Sequence, residues 1–107
     1  MNKEDIDTEI QYIVNQIVRK YSPRKIILFG SAGRGEYDRI NDLDFMVIKQ
    51  DVPTNGIERL RELDGLIDRN IAVDMLVYRP DEINNRASLG DPFILSILKE
   101  GRVVYDA

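Results

Sequence analysis

Apolar residues recur along this chain with two different periods. Ile6, Ile10, Ile13, Val14, Ile17, Val18 and Tyr21 follow one another at three- and four-residue steps, the spacing of a single helix face, and Ser22-Pro23 stops the pattern. Residues 1–22 therefore read as an amphipathic N-terminal helix whose stripe packs on a sheet. Shorter apolar runs follow. Lys25-Ile26-Ile27-Leu28-Phe29, Asp42-Leu43-Asp44-Phe45-Met46-Val47-Ile48 and Ile71-Ala72-Val73-Asp74-Met75-Leu76-Val77-Tyr78 each have the length and β-branched content of a strand. Between the second and third runs, Ile57, Leu60, Leu63 and Ile67 return to helical spacing, so Gly56 to about Asp68 reads as a helix, with Asn55 and Glu58 placed as a capping box. Asp91-Pro92 opens another helix that runs to Glu100, and Gly101 closes it. Gln50–Asn55 and Asn84–Asp91 read as loops, the second bordering a substrate cleft.

Connection lengths set the topology. The link between the first two strands is short, which favours antiparallel pairing. Strand, helix and strand from Asp42 to Tyr78 form a right-handed crossover, which makes the second and third strands parallel. The end of the first strand and the starts of the other two then lie at one end of the sheet.

The residues at that end carry chemistry. Gly30-Ser31 terminates the first strand where the chain enters a short helical segment, Ala32 to about Tyr37. Glycine allows close approach of a ligand to the backbone, serine adds a hydroxyl, and free amides at a helix start favour phosphate oxygens. Arg34 lies near enough to add a full charge. In the second strand Asp42 and Asp44 alternate onto one face and can share a cation. Asp74, an ionised residue inside an apolar strand, joins them if the second and third strands are neighbours.

Taken singly, each feature has an ordinary reading. Gly-Ser is a common turn, Asp42 suits a cap, Asp44 a solvated strand edge, Asp74 an acid paired with arginine, and Arg34 a surface cation. Taken together these readings strain. Two carboxylates about 6 Å apart repel by roughly 2–3 kcal/mol at an effective dielectric near 20, which calls for a counter-charge. The chain has no histidine and no cysteine, so an all-oxygen donor set favours a hard ion, magnesium or manganese, over zinc.

Gly30-Ser31-Ala32-Gly33-Arg34-Gly35, Asn41-Asp42-Leu43-Asp44-Phe45-Met46-Val47 and Val73-Asp74-Met75-Leu76-Val77 together resemble the polymerase-beta-type nucleotidyltransferases. The nearest likeness is to the minimal members of that superfamily, the antitoxins paired with HEPN-domain toxins. The resemblance spans residues 24–105 and includes Leu98-Lys99-Glu100-Gly101-Arg102-Val103-Val104-Tyr105, similar to the family's closing helix and strand. Asn41 stands where the family usually has serine, and Ala32-Gly33 where x-Ala is commoner.

The resemblance implies an α/β (α+β) fold, a small mixed sheet of about four strands with helices mainly on one face, the nucleotidyltransferase palm. It also implies that Asp42 and Asp44 hold two magnesium ions and that Asp74 joins one of them and helps deprotonate an acceptor hydroxyl. Gly30 and Ser31 would fix the triphosphate of ATP, with Arg34 beside them. AMP would pass to a tyrosine of the cognate HEPN toxin. A small-molecule acceptor of the aminoglycoside kind, and an antitoxin acting by contact alone, are the alternatives. A response-regulator phosphoacceptor fits less well, because its acids sit at the carboxyl ends of parallel strands.

With 107 residues the chain suits one minimal domain, 1–107. No apolar run is long enough to span a membrane and no signal pattern opens the chain, so cytoplasm is the expectation. The formal net charge of −4, without a basic cluster, argues against tight binding to long nucleic acid. A domain of this size offers a shallow cleft, so a partner or second copy is expected to complete the acceptor side.

Overall fold

The computed structural model describes residues 1–107. Helix α1 (Lys3–Tyr21) opens the chain, capped by Asn2, whose Oδ1 accepts the Asp5 amide at 2.8 Å, and it ends at Ser22 in the left-handed region. Strand β1 (Lys25–Phe29) leads into a single helical turn, α2 (Gly30–Gly33), and β2 (Asp42–Ile48) follows a 3-10 turn at Tyr37–Arg39. After α3 (Gly56–Asp64) come β3 (Ala72–Tyr78), α4 (Pro80–Ser88), α5 (Pro92–Glu100) and β4 (Arg102–Asp106). The sheet order is β3-β2-β1-β4, with β1 antiparallel to both its neighbours and β2 parallel to β3.

Alternation along the strands divides the apolar side chains between two faces. Ile26, Leu28, Leu43, Phe45, Val47, Met75 and Val77 pack with the stripe of α1 and with Leu63 and Ile67, and this face holds the main core. Ile27, Met46 and Ile48 point the other way and meet Ile83, Ile94 and Ile97 of α4 and α5. Helices thus lie on both faces, the larger core on one. Asp42 and Asp44 share the alternation phase of Met46 and Ile48, and so emerge on the more thinly covered face.

Beyond a start of β3 at Ala72 rather than Ile71, three segments differ from the sequence reading. The helix after Ser31 is a single turn, because Gly35 takes φ +75° and diverts the chain into the 3-10 turn. α3 ends at Asp64, although Ile67 still reaches the core. Most of the stretch expected as loop, Asn84–Asp91, is helical: Pro80 at the first turn of α4 and acidic Asp81 and Glu82 beside it are the start signals that the reading passed over.

Polar side chains fasten the chain where apolar ones do not. Buried Gln16 of α1 accepts the Asp68 amide at 2.8 Å and donates to its carbonyl at 2.7 Å, and Glu9 accepts the Asn70 amide at 2.6 Å, so the approach to β3 is held in register. Arg59, only 4% exposed, donates to Pro53 O at 2.5 Å and Val77 O at 3.2 Å and pairs with Glu82 at 2.7 Å. It thereby ties α3, β3 and α4 around the outer edge of the sheet. Arg59→Ala leaves the Pro53 and Val77 carbonyls without their donor and Glu82 with Arg79 alone, and is expected to destabilise the fold by about 2–3 kcal/mol. Urea unfolding of the purified variant checks this: the midpoint should fall with the slope unchanged.

Candidate active site

β1 delivers the chain to Gly30, which adopts φ +65° and starts α2. Any Cβ added at Gly30 would overlap Oδ2 of Asp44. Glycine is thus required on two counts: for the backbone conformation, and because the Asp44 carboxylate lies directly against the turn. No side chain caps the amides of the first turn of α2. Ser31 is half-buried there, and its main-chain oxygen accepts the Glu36 amide at 2.9 Å.

The register of β2 and β3 sets Asp44 opposite Asp74 and Asp42 opposite Ala72. Because Asp42 and Asp44 are two residues apart, all three acids project from one face, and each has a carboxylate oxygen within 4.8 Å of the others. At that separation each pair of full charges repels by roughly 3 kcal/mol at an effective dielectric of 20. The chain's ion pairs all lie elsewhere. Burial, then the charges of Asp42 and Asp74, push the Asp44 carboxyl up to about 6, and the charge of Arg34 offsets this in part. Asp42 is also raised, by burial first and then by its hydrogen bond with Asp74 and the Asp74 charge. Three crowded oxygen donors without a cationic side chain among them suit a hard divalent cation.

The structure therefore brings Gly30, Asp42, Asp44 and Asp74 together as the sequence reading expects. Arg34 stands beside them but is engaged: its guanidinium lies 3.1 Å from Glu36 and 3.9 Å from Glu100 at the end of α5. The sequence reading missed both partners. Glu36, two residues along the turn, was open to inference; Glu100 was not, since only the tertiary fold carries α5 to this corner. Phe29, just before the turn, is held edge-on by Phe93 of α5, with ring centroids 5.9 Å apart.

The profile of the family described as "Polymerase beta, Nucleotidyltransferase" matches residues 11–107. The chain belongs to this nucleotidyltransferase family. Two proteins of Methanocaldococcus jannaschii, each named "putative protein adenylyltransferase", are similar to it. One is 31% identical over 98% of this chain and 100% of its own length. The other is 30% identical over 76% of this chain and 57% of its own length. A crystal structure described as a "putative nucleotidyltransferase" from Sulfolobus solfataricus superposes with a TM-score of 0.64 over 99% of this chain and 90% of that one, at 19% identity, and shows the same fold.

Two expectations follow for this candidate site. Gly30→Ala should force the turn and Asp44 apart, lowering stability by about 1–2 kcal/mol and nucleotidyl transfer by about 100-fold, read from denaturant curves and initial rates. The second concerns pH. A carboxyl whose pKa is higher in the folded than in the unfolded chain favours folding while protonated; here that contribution is complete below the ordinary 3.8 and is lost as the pH rises through about 6. Without divalent cations, Asp44→Asn should therefore melt higher than the wild type above pH 6, the difference narrowing toward pH 4. Magnesium at pH 7.5 should raise the wild-type Tm by about 4 °C or more and leave the variant nearly unmoved.

Proposed function

We propose that this chain is a magnesium-dependent protein adenylyltransferase that moves AMP from ATP to a tyrosine hydroxyl of a HEPN-domain toxin, and so acts as an antitoxin in the cytoplasm. One observation carries the reading: three carboxylates from two parallel strands converge within 4.8 Å, beside a glycine turn whose amides are uncapped. The names of the two Methanocaldococcus relatives support a protein acceptor, and the one aligned along its whole length does so at this chain's own size.

In this reading the first-turn amides at Gly30 and Ser31 receive the triphosphate oxygens, and Arg34 exchanges Glu36 for phosphate. Asp42 and Asp44 would hold two divalent ions, and Asp74 would join one of them. Bound magnesium would supply the counter-charge and the Lewis acidity for displacement at phosphorus. Asp74, the most exposed of the three acids, accepts the proton of the incoming tyrosine. Its oxygen then bonds to the α-phosphorus as the bond to the β-phosphate oxygen breaks, and pyrophosphate departs with that electron pair.

The test uses ATP labelled on the α-phosphate, magnesium and a candidate HEPN-domain partner protein, with Asp42→Asn/Asp44→Asn in parallel. Label on a tyrosine of that protein is expected with the wild type and at least about 1,000-fold less with the variant. Label that appears on small metabolites of a cell extract, and on no protein, would overturn the protein-acceptor reading.

A further inference from the structure

The outer edge of β3 is treated differently along its length. Val77 O accepts from Arg59 on the outer side, while Tyr78 O accepts from Lys49 on the β2 side. These two bonds fix the phase of the strand: the main-chain groups of Asp74, Leu76 and Tyr78 face β2, and those of Val73, Met75 and Val77 face outward. Arg59 closes the edge at Val77. The N–H and C=O of Val73 and Met75 have no partner in the fold.

Beside this open stretch runs a groove of about 310 Å³, lined by Ile57, Leu60, Arg61 and Asp64 of α3 and by Val73, Asp74 and Met75. Its α3 wall is apolar and uncovered: Ile57 is 62% exposed and Leu60 37%. Exposed strand edges are normally blocked, because they recruit other chains. Here the block stands at the far end from the acids, and the open part adjoins Asp74.

We infer that the free edge of β3 at Val73–Met75 receives an extended, tyrosine-bearing segment of the acceptor protein as an added strand. The inference rests on the protein-adenylylation reading above. In an antiparallel addition Val73 and Met75 each form a hydrogen-bonded pair with the incoming strand, so the residue between those two faces Asp74 in the closer, non-hydrogen-bonded kind of pair. Its side chain emerges on the face of the three carboxylates, and its neighbours on either side turn toward Ile57 and Leu60.

Reach then selects the hydroxyl. The added strand lies about 4.8 Å from β3, and the Asp44 carboxylate belongs to the strand beyond. A tyrosine hydroxyl, across its ring from Cβ, spans that gap; a serine or threonine hydroxyl, one bond from Cβ, does not. The edge thus supplies both the docking of the partner and the preference for tyrosine.

Two measurements on the full chain test this, with the HEPN-domain protein as probe. Ile57→Gln/Leu60→Gln removes the apolar wall without adding charge near the acids, on side chains whose exposure leaves the fold unaffected. It should raise KM for the acceptor protein about tenfold while the affinity for ATP stays within about twofold. Amide hydrogen exchange supplies the second readout: in the free chain Val73 and Met75 should exchange far faster than Asp74 and Leu76, and complex formation should slow both. If wild type labels the acceptor but the Val73 and Met75 amides gain no protection, or if KM is unchanged in the double variant, the edge assignment is overturned and adenylyl transfer stands. If wild type labels no protein, adenylyl transfer itself fails, and the assignment of this partner falls with it.

Discussion

Like-charge repulsion among Asp42, Asp44 and Asp74 is the constraint to which the rest of the molecule answers. Three carboxylates within 4.8 Å of one another would separate if they stood on loops. They do not stand on loops. Two occupy alternate positions of β2, a strand whose other residues are all buried, and the third faces Asp44 across a parallel ladder of seven residue pairs. Shifting β3 by a single residue would turn Met75 and Val77 out of the core and Asp74 into it, so burial of those two side chains holds the acids in place against their repulsion. Burial first, and the charges of Asp42 and Asp74 after it, hold the Asp44 carboxyl up at about 6.

The two sides of the sheet divide the labour accordingly. α1 and α3 cover one face with the main core, and Gln16 and Glu9 lock the chain as it enters β3. The other face is covered by α4 and α5 only over Ile27, Met46 and Ile48, which leaves the carboxylate end of β2 partly open. Gly30 belongs to the same arrangement. Its missing side chain is the space that Asp44 fills, so the turn and the acids form one unit rather than two adjoining motifs.

How far this was legible in the sequence depended on the range of the interaction involved. β1 and β2 stand where their apolar runs place them, and β3 begins one residue late, because burial of consecutive side chains is written in local pattern. The meeting of Asp74 with Asp42 and Asp44 was legible through topology, since a helical crossover leaves parallel strands as its ordinary outcome. α4 was obscured by Asn84, Asn85 and Ser88, residues with weak helix preference, although Pro80, Asp81 and Glu82 marked its start. The engagement of Arg34 was legible only in part: Glu36 stands two residues along the turn, whereas Glu100 lies far along the chain and reaches Arg34 only after α5 has packed on the sheet. Charges at a site can be counted from sequence; which of them are already neutralised cannot.

Arg34 and Arg59 show what that distinction means for chemistry. Both are arginines paired with glutamate, yet Arg59 is buried and bonded to two carbonyls as well, whereas Arg34 lies at the surface with one short and one long carboxylate contact. Surface pairs of this kind contribute little to stability and exchange partners readily. In the proposed reading a triphosphate, with higher charge density than a single carboxylate, would compete for Arg34, while nothing comparable draws Arg59 from Val77 and Glu82. One arginine is therefore available to a ligand and the other fixes the edge of β3, so the same residue type marks a movable and an immovable boundary on either side of the three acids.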